Sequence, residues 1–242
     1  MQWSAQPVKL FYRGKRFRIN CVGTSRSKGK SAGDEDQPMG VERYNMAFTT
    51  GGLLLRETGL VLARFQQLGD WDGVRAQVLR DNLLQARKAS TGKRLAGEVI
   101  CRLQHLTSEE IAFFDSAGDQ DQAMLVWVAI CRRFSFIADF MADVVRERYL
   151  ALRNDLSRTD FDAFLDFKQA QHPELVGITS STCAKLRQVL FKMLREARLL
   201  SKDNVILAPT LSCELATLLL THQAAAARFF PIAEQDLRGL AA

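Results

Sequence analysis

The sequence predicts an all-α protein, a compact multi-helix globular fold with two helix-turn-helix-like segments, the second winged by a short hairpin. Three observations predict this class: apolar residues recur at helical spacing from Thr49 onward, helix-start signals interrupt that pattern, and 47% of the residues are hydrophobic. We expect a flexible basic extension over residues 1–43 and an N-terminal helical domain over residues 44–155 that carries the first such segment. A C-terminal helical subdomain over residues 156–242 carries the second, winged one.

The extension differs in composition from the rest of the chain. A short hairpin is compatible with VKLFYRGKRFRIN, whereas TSRSKGKSAGDEDQPMG is polar and rich in glycine and serine, with little to bury. We therefore expect this part to be flexible.

Local start signals define the helices that follow. The predicted N-caps are Thr49 or Thr50, Asp70, Ser90 or Thr91, Thr107, and Thr159. Thr107 has Glu110 three residues after it, the spacing of a capping box. Two longer helices, over residues 120–134 and 135–152, are rich in apolar and aromatic side chains and should form the centre of the core. His172-Pro173 ends the next helix, because proline disfavours helical geometry in the residue before it.

The C-terminal part has the pattern of a winged helix-turn-helix. A helix over SSTCAKLRQVLFKMLREARLL has an apolar stripe and a separate polar one, and the polar stripe consists of Lys185, Gln188, Lys192 and Arg195. After it, LLSKDNVILAP has two short apolar runs around Lys202-Asp203-Asn204, which is typical of a small hairpin. From Ser212 to about Phe230 we expect one further helix.

Several functional classes find no support in the sequence. The longest apolar run, Ala123 to Cys131, is about half of the roughly 18 residues that a membrane-spanning helix needs, and no secretory signal is evident, so we expect a soluble cytoplasmic protein. Five widely spaced cysteines suit neither disulfides nor a metal cluster. The three histidines are far apart, and Asp160, Asp162 and Asp166 are interpreted as a solvated helix start and face. We expect no enzymatic activity, no cofactor and no metal.

The net charge of +6 is unevenly distributed along the chain. Residues 1–30 carry eight basic and no acidic residues, which leaves −2 for the remainder. Within the remainder, residues 75–104 and 179–202 are each +5, whereas residues 103–178 are −6. Such a separation can place basic surfaces toward a polyanionic partner.

Both basic segments combine hydroxyl groups and cations at the start of a helix, where a recognition helix meets DNA phosphates and base edges. In the first segment the candidate nucleic-acid-binding residues are Arg87, Lys88, Ser90, Thr91, Lys93 and Arg94. In the second they are Ser180, Ser181, Thr182, Lys185, Arg187, Gln188, Lys192 and Lys202. For the first segment, charge pattern alone supports a solvated helix face equally well; two segments of similar design favour nucleic acid.

Five blocks of sequence carry a resemblance to a known family. They are YNMAFTTGGLLLRETG, LGDWDGVRAQVLRDNLLQARKASTGKRLAGEVICRL, WVAICRRFSFIADFMADVVRERYL, HPELVGITSSTCAKLRQVLFKMLREARLL and SKDNVILAPTLS. In this order, over roughly residues 42 to 215, they resemble the BrxA family of bacterial BREX (bacteriophage exclusion) defence systems. The resemblance implies a small all-helical, non-enzymatic component of a system that marks host DNA by adenine methylation and blocks phage DNA replication. A methyltransferase, an ATPase and a phosphatase-like protein supply the chemistry in such systems.

We therefore predict a non-enzymatic BREX component that binds double-stranded DNA, mainly through phosphates, and that has other BREX subunits as possible partners and no membrane partner. Two alternatives stay open. One is a protein-interaction adaptor within the BREX complex that uses the acidic middle of the chain and an apolar patch. The other is an RNA-binding protein, since the family has been likened to the helical antitermination factor NusB.

Overall fold

The computed structural model describes residues 44–222 and 224–242, together with two short strands near the N-terminus. Strands β1 (Phe11–Tyr12) and β2 (Lys15–Arg16) pair antiparallel in the hairpin predicted there. The rest of the predicted flexible extension lies outside the described residues. Residues 44–242 form one compact unit, within which the division at residues 155 and 156 stays a prediction.

The all-α prediction is confirmed for this unit, and its first four helices follow the predicted order. They are α1 (Leu55–Leu68), α2 (Trp71–Arg80), α3 (Ala89–Leu103) and α4 (Ser108–Phe113). Helices α1, α2 and α3 contact one another in pairs. This three-helix arrangement holds the first basic segment at the start of α3.

Two of the predicted N-caps in this region are confirmed and two are wrong. The Asp70 carboxylate accepts hydrogen bonds from backbone N–H groups in the first turn of α2, and Thr107 forms its capping box with Glu110. Helix α1 instead begins after Leu54, which has a left-handed backbone (φ 60°). Helix α3 begins after Lys88, so that Ser90 and Thr91 lie inside its first turn and do not cap it.

The centre of the core is formed by α5 and the helical segments after it. These are α5 (Asp119–Arg133), α6 (Ser135–Phe140), a π-helix (Met141–Arg146) and α7 (Glu147–Leu150). Every residue of α5 from Ala123 to Cys131 is buried, as the apolar run predicts. The fully buried Trp127 donates its indole N–H to the carbonyl of Phe229 over 2.9 Å, which satisfies the polar atom of the largest core side chain.

Helices α8 (Arg158–Gln171) and α9 (Ser180–Glu196) are joined by a 3-10 turn at Pro173–Leu175. The cap of α8 is Ser157 rather than Thr159, because Ser157 and Asp160 form a capping box. After α9, Leu200 pairs with Ile206 as an isolated antiparallel bridge, which corresponds to the predicted hairpin. A second antiparallel bridge joins Val205 to Asp155, so the hairpin is also paired with the segment that precedes α8.

The single helix predicted from Ser212 to about Phe230 is wrong. The chain forms α10 (Cys213–His222), a 3-10 helix (Ala224–Phe229) and α11 (Glu234–Leu240). Helix α10 ends at His222 and the chain continues with 3-10 geometry from Ala224, whereas Pro231 accounts only for the end at Phe230, because proline disfavours helical geometry in the residue before it. None of the helices in the described part of the chain has the length and apolar content needed to cross a membrane.

Candidate nucleic-acid interface

The first basic segment lies at the end of the turn between α2 and α3. Asn82 (φ 44°) and Gln85 (φ 51°) adopt left-handed backbone conformations in this turn, and the Asn82 side-chain oxygen accepts a hydrogen bond from the N–H of Ala86 over 3.0 Å. The buried Gly92 brings the first turn of α3 against the same loop, since a Cβ at Gly92 would lie 3.4 Å from that of Ala86. At eight residues, the turn is longer than the three to four residues usual in a helix-turn-helix.

The structure places the candidate residues of this segment at the surface. Those that are exposed are Arg87, Lys88, Ser90, Lys93 and Arg94, and Thr91 is half-buried. Within residues 44–222 and 224–242, none of the four cations of this group forms an ion pair with a carboxylate. They are therefore available to a polyanion without breaking a contact inside the protein.

The second basic segment forms the exposed face of α9. Thr179 is the N-cap, and its hydroxyl contacts those of Ser181 (3.0 Å) and Thr182 (2.9 Å) while accepting from the Thr182 N–H. Helical spacing of three and four residues then places an exposed polar stripe along α9, which consists of Ser181, Lys185, Gln188, Lys192 and Arg195. Opposite this stripe lie the buried apolar residues that pack into the core.

Three cations of this segment have partners that limit their availability to different degrees. Arg187 points away from the stripe, toward α8, where its guanidinium forms an ion pair with the carboxylate of Asp162. Lys192 lies 3.5 Å from Glu196 one turn later, but that lysine is 56% exposed and such surface pairs are weak. Among the residues that the structure describes, Lys185 donates to the uncharged side chain of Gln188 and to no carboxylate. Among the candidates in this segment, Arg187 is thus the residue whose guanidinium a tertiary ion pair makes less available to DNA.

The hairpin is connected to the exposed stripe of α9. The Arg195 guanidinium donates to the side-chain oxygen of Asn204 over 2.6 Å, and Lys202 is exposed at the tip of the same hairpin. This contact ties the tip of the hairpin, two residues after Lys202, to the C-terminal end of the exposed stripe of α9. Arg195 belongs to the predicted polar stripe, but its role toward the hairpin depends on a residue nine positions later and has no local signal.

Helices α3 and α9 are joined near their C-terminal ends by the segment that precedes α1. The fully buried Arg102, in the last turn of α3, donates to the carbonyls of Gly52 (2.8 Å) and Leu53 (3.1 Å) and to the carboxylate of Glu98 (2.8 Å). The N–H of Leu53 in turn donates to Glu196, in the last turn of α9, over 2.6 Å. Burial lowers the pKa of Arg102, and the Glu98 carboxylate opposes that shift. The segment before α1 therefore links α3 to α9.

Two carboxylates of α8, those of Asp160 and Asp162, take part in structural contacts, whereas Asp166 is exposed, as the interpretation of a solvated helix face predicts. Burial acts to raise the pKa of Asp160, but hydrogen bonds from Ser157 and Arg148 outweigh that effect and lower it. Asp162 forms the ion pair with Arg187.

The histidine before Pro173 has a structural contact: His172 stacks on Tyr44 with ring centroids 3.9 Å apart. Across the described residues, no group of three or more His, Cys, Asp or Glu side chains is placed to hold a metal ion.

Comparison with known families matches most of the compact unit. The sequence profile of the family BrxA matches residues 42–223. A protein named BREX protein BrxA from Escherichia coli O9:H4 is 26% identical over 61% of this chain and 69% of its own length. Proteins of the same name from Bacillus cereus and Paramagnetospirillum magneticum are 26% and 25% identical, over 54% and 65% of this chain and 66% and 79% of their own lengths.

A solved structure shares the fold. The crystal structure of an uncharacterized protein from Magnetospirillum magneticum superposes with a TM-score of 0.64, covering 78% of this chain and 97% of that one. The two sequences are 21% identical, so this likeness concerns the fold alone.

Proposed function

The chain belongs to the BrxA family, and from this premise we propose that it is a non-enzymatic DNA-binding component of a BREX phage-defence system. The basic segments at the start of α3 and along α9 contact the phosphates of duplex DNA, with modest sequence preference. The observation that carries the proposal is the cluster of exposed cations at the start of α3, which have no carboxylate partner among the described residues.

The charges elsewhere in the compact unit give this observation its weight. Many other cations there are paired: Arg102 with Glu98, Arg132 with Glu110, and Arg148 with Asp160. Those pairs are partly or fully buried, so these guanidinium groups are already engaged inside the protein. Exposed cations without a carboxylate partner among the described residues also occur singly, as at Arg75, Arg153 and Arg158, but four of them lie together within residues 87–94, where they repel one another. A phosphate backbone would relieve that repulsion.

The order of elements supports a winged helix-turn-helix role for the second segment, although its turn over residues 172–179 is as long as the turn between α2 and α3. Helix α8, the turn and α9 are followed by a hairpin that pairs back to the segment before α8 and is tied to the exposed stripe of α9. In this arrangement α9 would be the recognition helix and Lys202 would approach an adjacent phosphate.

A salt-titrated binding assay tests the proposal. Fluorescence anisotropy with labelled duplex DNA of about 30 base pairs should show affinity that falls steeply with salt. Neutralising about six phosphates would give a slope of about −5 in log affinity against log salt. Single-stranded DNA and structured RNA serve as competitors, and stronger competition by the RNA would favour the RNA-binding alternative.

Charge-matched variants locate the site. The double variants Lys93→Ala/Arg94→Ala and Lys185→Ala/Lys192→Ala should each reduce the slope by about 2. A control, Arg64→Ala/Arg238→Ala, removes the same charge from α1 and α11 and should leave the slope nearly unchanged. Undetectable binding to duplex DNA at about 50 mM salt, or equal effects of all three variants, would show that the proposal is wrong.

The adaptor alternative is favoured by a different observation. Three large apolar side chains are unusually exposed: Leu152 (87%), Val176 (69%) and Phe167 (56%). Exposed apolar groups of this kind mark protein contacts when they form a patch. Co-purification with the other BREX proteins after nuclease treatment, lost in the variant Leu152→Ser/Phe167→Ser, would support an adaptor role. Co-purification that disappears on nuclease treatment alone would assign the association to shared DNA.

A further inference from the structure

The tip of the hairpin after α9 is held in one conformation by its own polar groups. The Ser201 hydroxyl accepts hydrogen bonds from the N–H groups of Asp203 (3.2 Å) and Val205 (3.0 Å). Asn204 adopts a left-handed backbone (φ 62°), a conformation that asparagine tolerates better than most residues. The conformation of the tip is therefore defined by contacts within the tip. Its position relative to the rest of the protein depends on other contacts.

Asn204 connects the tip to two other parts of the protein. Its backbone carbonyl accepts a hydrogen bond from the N–H of Leu156 over 2.9 Å, which ties the hairpin to the segment before α8. Its side-chain oxygen accepts from the Arg195 guanidinium over 2.6 Å. Arg195 lies on the exposed stripe of α9, 5.8 Å from the ring centroid of Phe191, and the aromatic ring limits the motion of its guanidinium.

We propose that the contact between Arg195 and Asn204 positions the hairpin so that Lys202 and the exposed stripe of α9 engage the same stretch of phosphate backbone. This inference rests on the proposed function. Arg195 and Asn204 act as positioning residues: their contact sets where the lysine can reach, and Lys202 makes the phosphate contact.

The physical reason is preorganisation. Lysine is a point charge on a flexible side chain. When a lysine on an untethered hairpin binds a phosphate, both the side chain and the hairpin lose conformational entropy, and that cost offsets much of the electrostatic attraction. A hairpin already held against α9 has lost that entropy on folding, and the same lysine then contributes more to binding. The bridge between Leu200 and Ile206 holds the base of the hairpin, whereas the Arg195 contact holds its tip.

A double-mutant cycle in DNA binding tests this inference. Asn204→Gly removes the side-chain acceptor, keeps the left-handed backbone accessible and changes no charge. Lys202→Ala removes the proposed phosphate contact. In the wild-type background, Lys202→Ala should reduce the slope of log affinity against log salt by about 0.9. In the Asn204→Gly background, the same substitution should reduce it by less than half as much.

Lys93→Ala provides the matched control, because Lys93 lies on α3, away from the hairpin in the chain. Its effect on the slope should be the same in the wild-type and the Asn204→Gly backgrounds, and thermal unfolding of each variant reports whether the fold is retained. An equal effect of Lys202→Ala in both backgrounds would overturn the inference, as would an Asn204→Gly background that weakens the Lys93→Ala effect equally. A wild-type protein that does not bind duplex DNA would instead refute the proposed function itself.

Discussion

Substitution of Gly52 by alanine should destabilise the protein through the link between the segment before α1 and α9. A Cβ at Gly52 would meet the carboxylate of Glu196 more closely than real Cβ atoms approach any oxygen, so the carboxylate must move. The hydrogen bond from the N–H of Leu53 to Glu196, 2.6 Å long, is then lost. Alanine is otherwise acceptable at this position, because the backbone of Gly52 is not left-handed.

The magnitude follows from two opposing contributions. A hydrogen bond to a charged group contributes about 1.5–3 kcal/mol, and the lower value applies here because the Glu196 side chain is 38% exposed and water can replace part of the bond. Alanine also lowers the conformational entropy of the unfolded chain, which raises the free energy of unfolding by about 0.5 kcal/mol. We expect a net loss of about 1 kcal/mol, or about 2–4 °C in Tm for a protein of this size.

Urea unfolding of the full chain measures this effect. Gly59→Ala in α1 is the control, since a Cβ there meets nothing within 4 Å and should stabilise the helix by about 0.5–1 kcal/mol. In a Glu196→Ala background the steric conflict is removed, so Gly52→Ala should then be neutral or stabilising. If Gly52→Ala is as stable as Gly59→Ala in the wild-type background, the reasoning about this contact is wrong.

Three further substitutions test other contacts of the fold. Trp127→Phe should lower the unfolding free energy by at least about 2 kcal/mol, because the buried carbonyl of Phe229 loses its donor; a loss below about 1 kcal/mol in urea unfolding would contradict this. Glu110→Ala should cost about 3 kcal/mol, since it removes the buried carboxylate that pairs with Arg132 at 2.6 Å; a near-neutral change in Tm would argue against the pair. Asp160→Asn should destabilise the protein at neutral pH, and the gap from wild type should narrow below about pH 4, because a lowered pKa stabilises the fold only while the carboxylate is ionised. A gap in unfolding free energy that stays constant down to about pH 2 would refute this.

Local signals predicted most helices, and their failures have identifiable causes. Asp70 and Thr107 are correctly predicted as caps because the cap and its partners lie within three residues of each other. Ser90 looks like a cap by composition, but α3 begins before it, where Gly92 packs against the α2–α3 turn. Thr159 is displaced as a cap by Ser157, whose capping box with Asp160 satisfies two donors at once.

In the candidate site, too, local features were predicted from the sequence and contacts between distant residues were not. Exposure of Lys93 and Arg94 follows from the period of α3, which turns apolar neighbours inward, so the sequence predicts it. Arg187 is less available to DNA because it pairs with Asp162, a residue 25 positions earlier, and no periodicity in the sequence predicts that pairing. The role of Arg195 toward the hairpin is equally non-local, because it requires the chain to reverse direction before Asn204 can reach it.

By itself, the sequence determined the helical class, the approximate order of the helices and the two basic segments, because each of these depends on patterns within a few turns of helix. The family followed from the resemblance of five sequence blocks spread over residues 42 to 215. Tertiary structure decided which cations remain available, how the hairpin joins α9, and that α3 and α9 are linked through the segment before α1. Those outcomes depend on contacts between residues distant in the chain, such as Leu53 with Glu196, whose geometry is set only when the core packs.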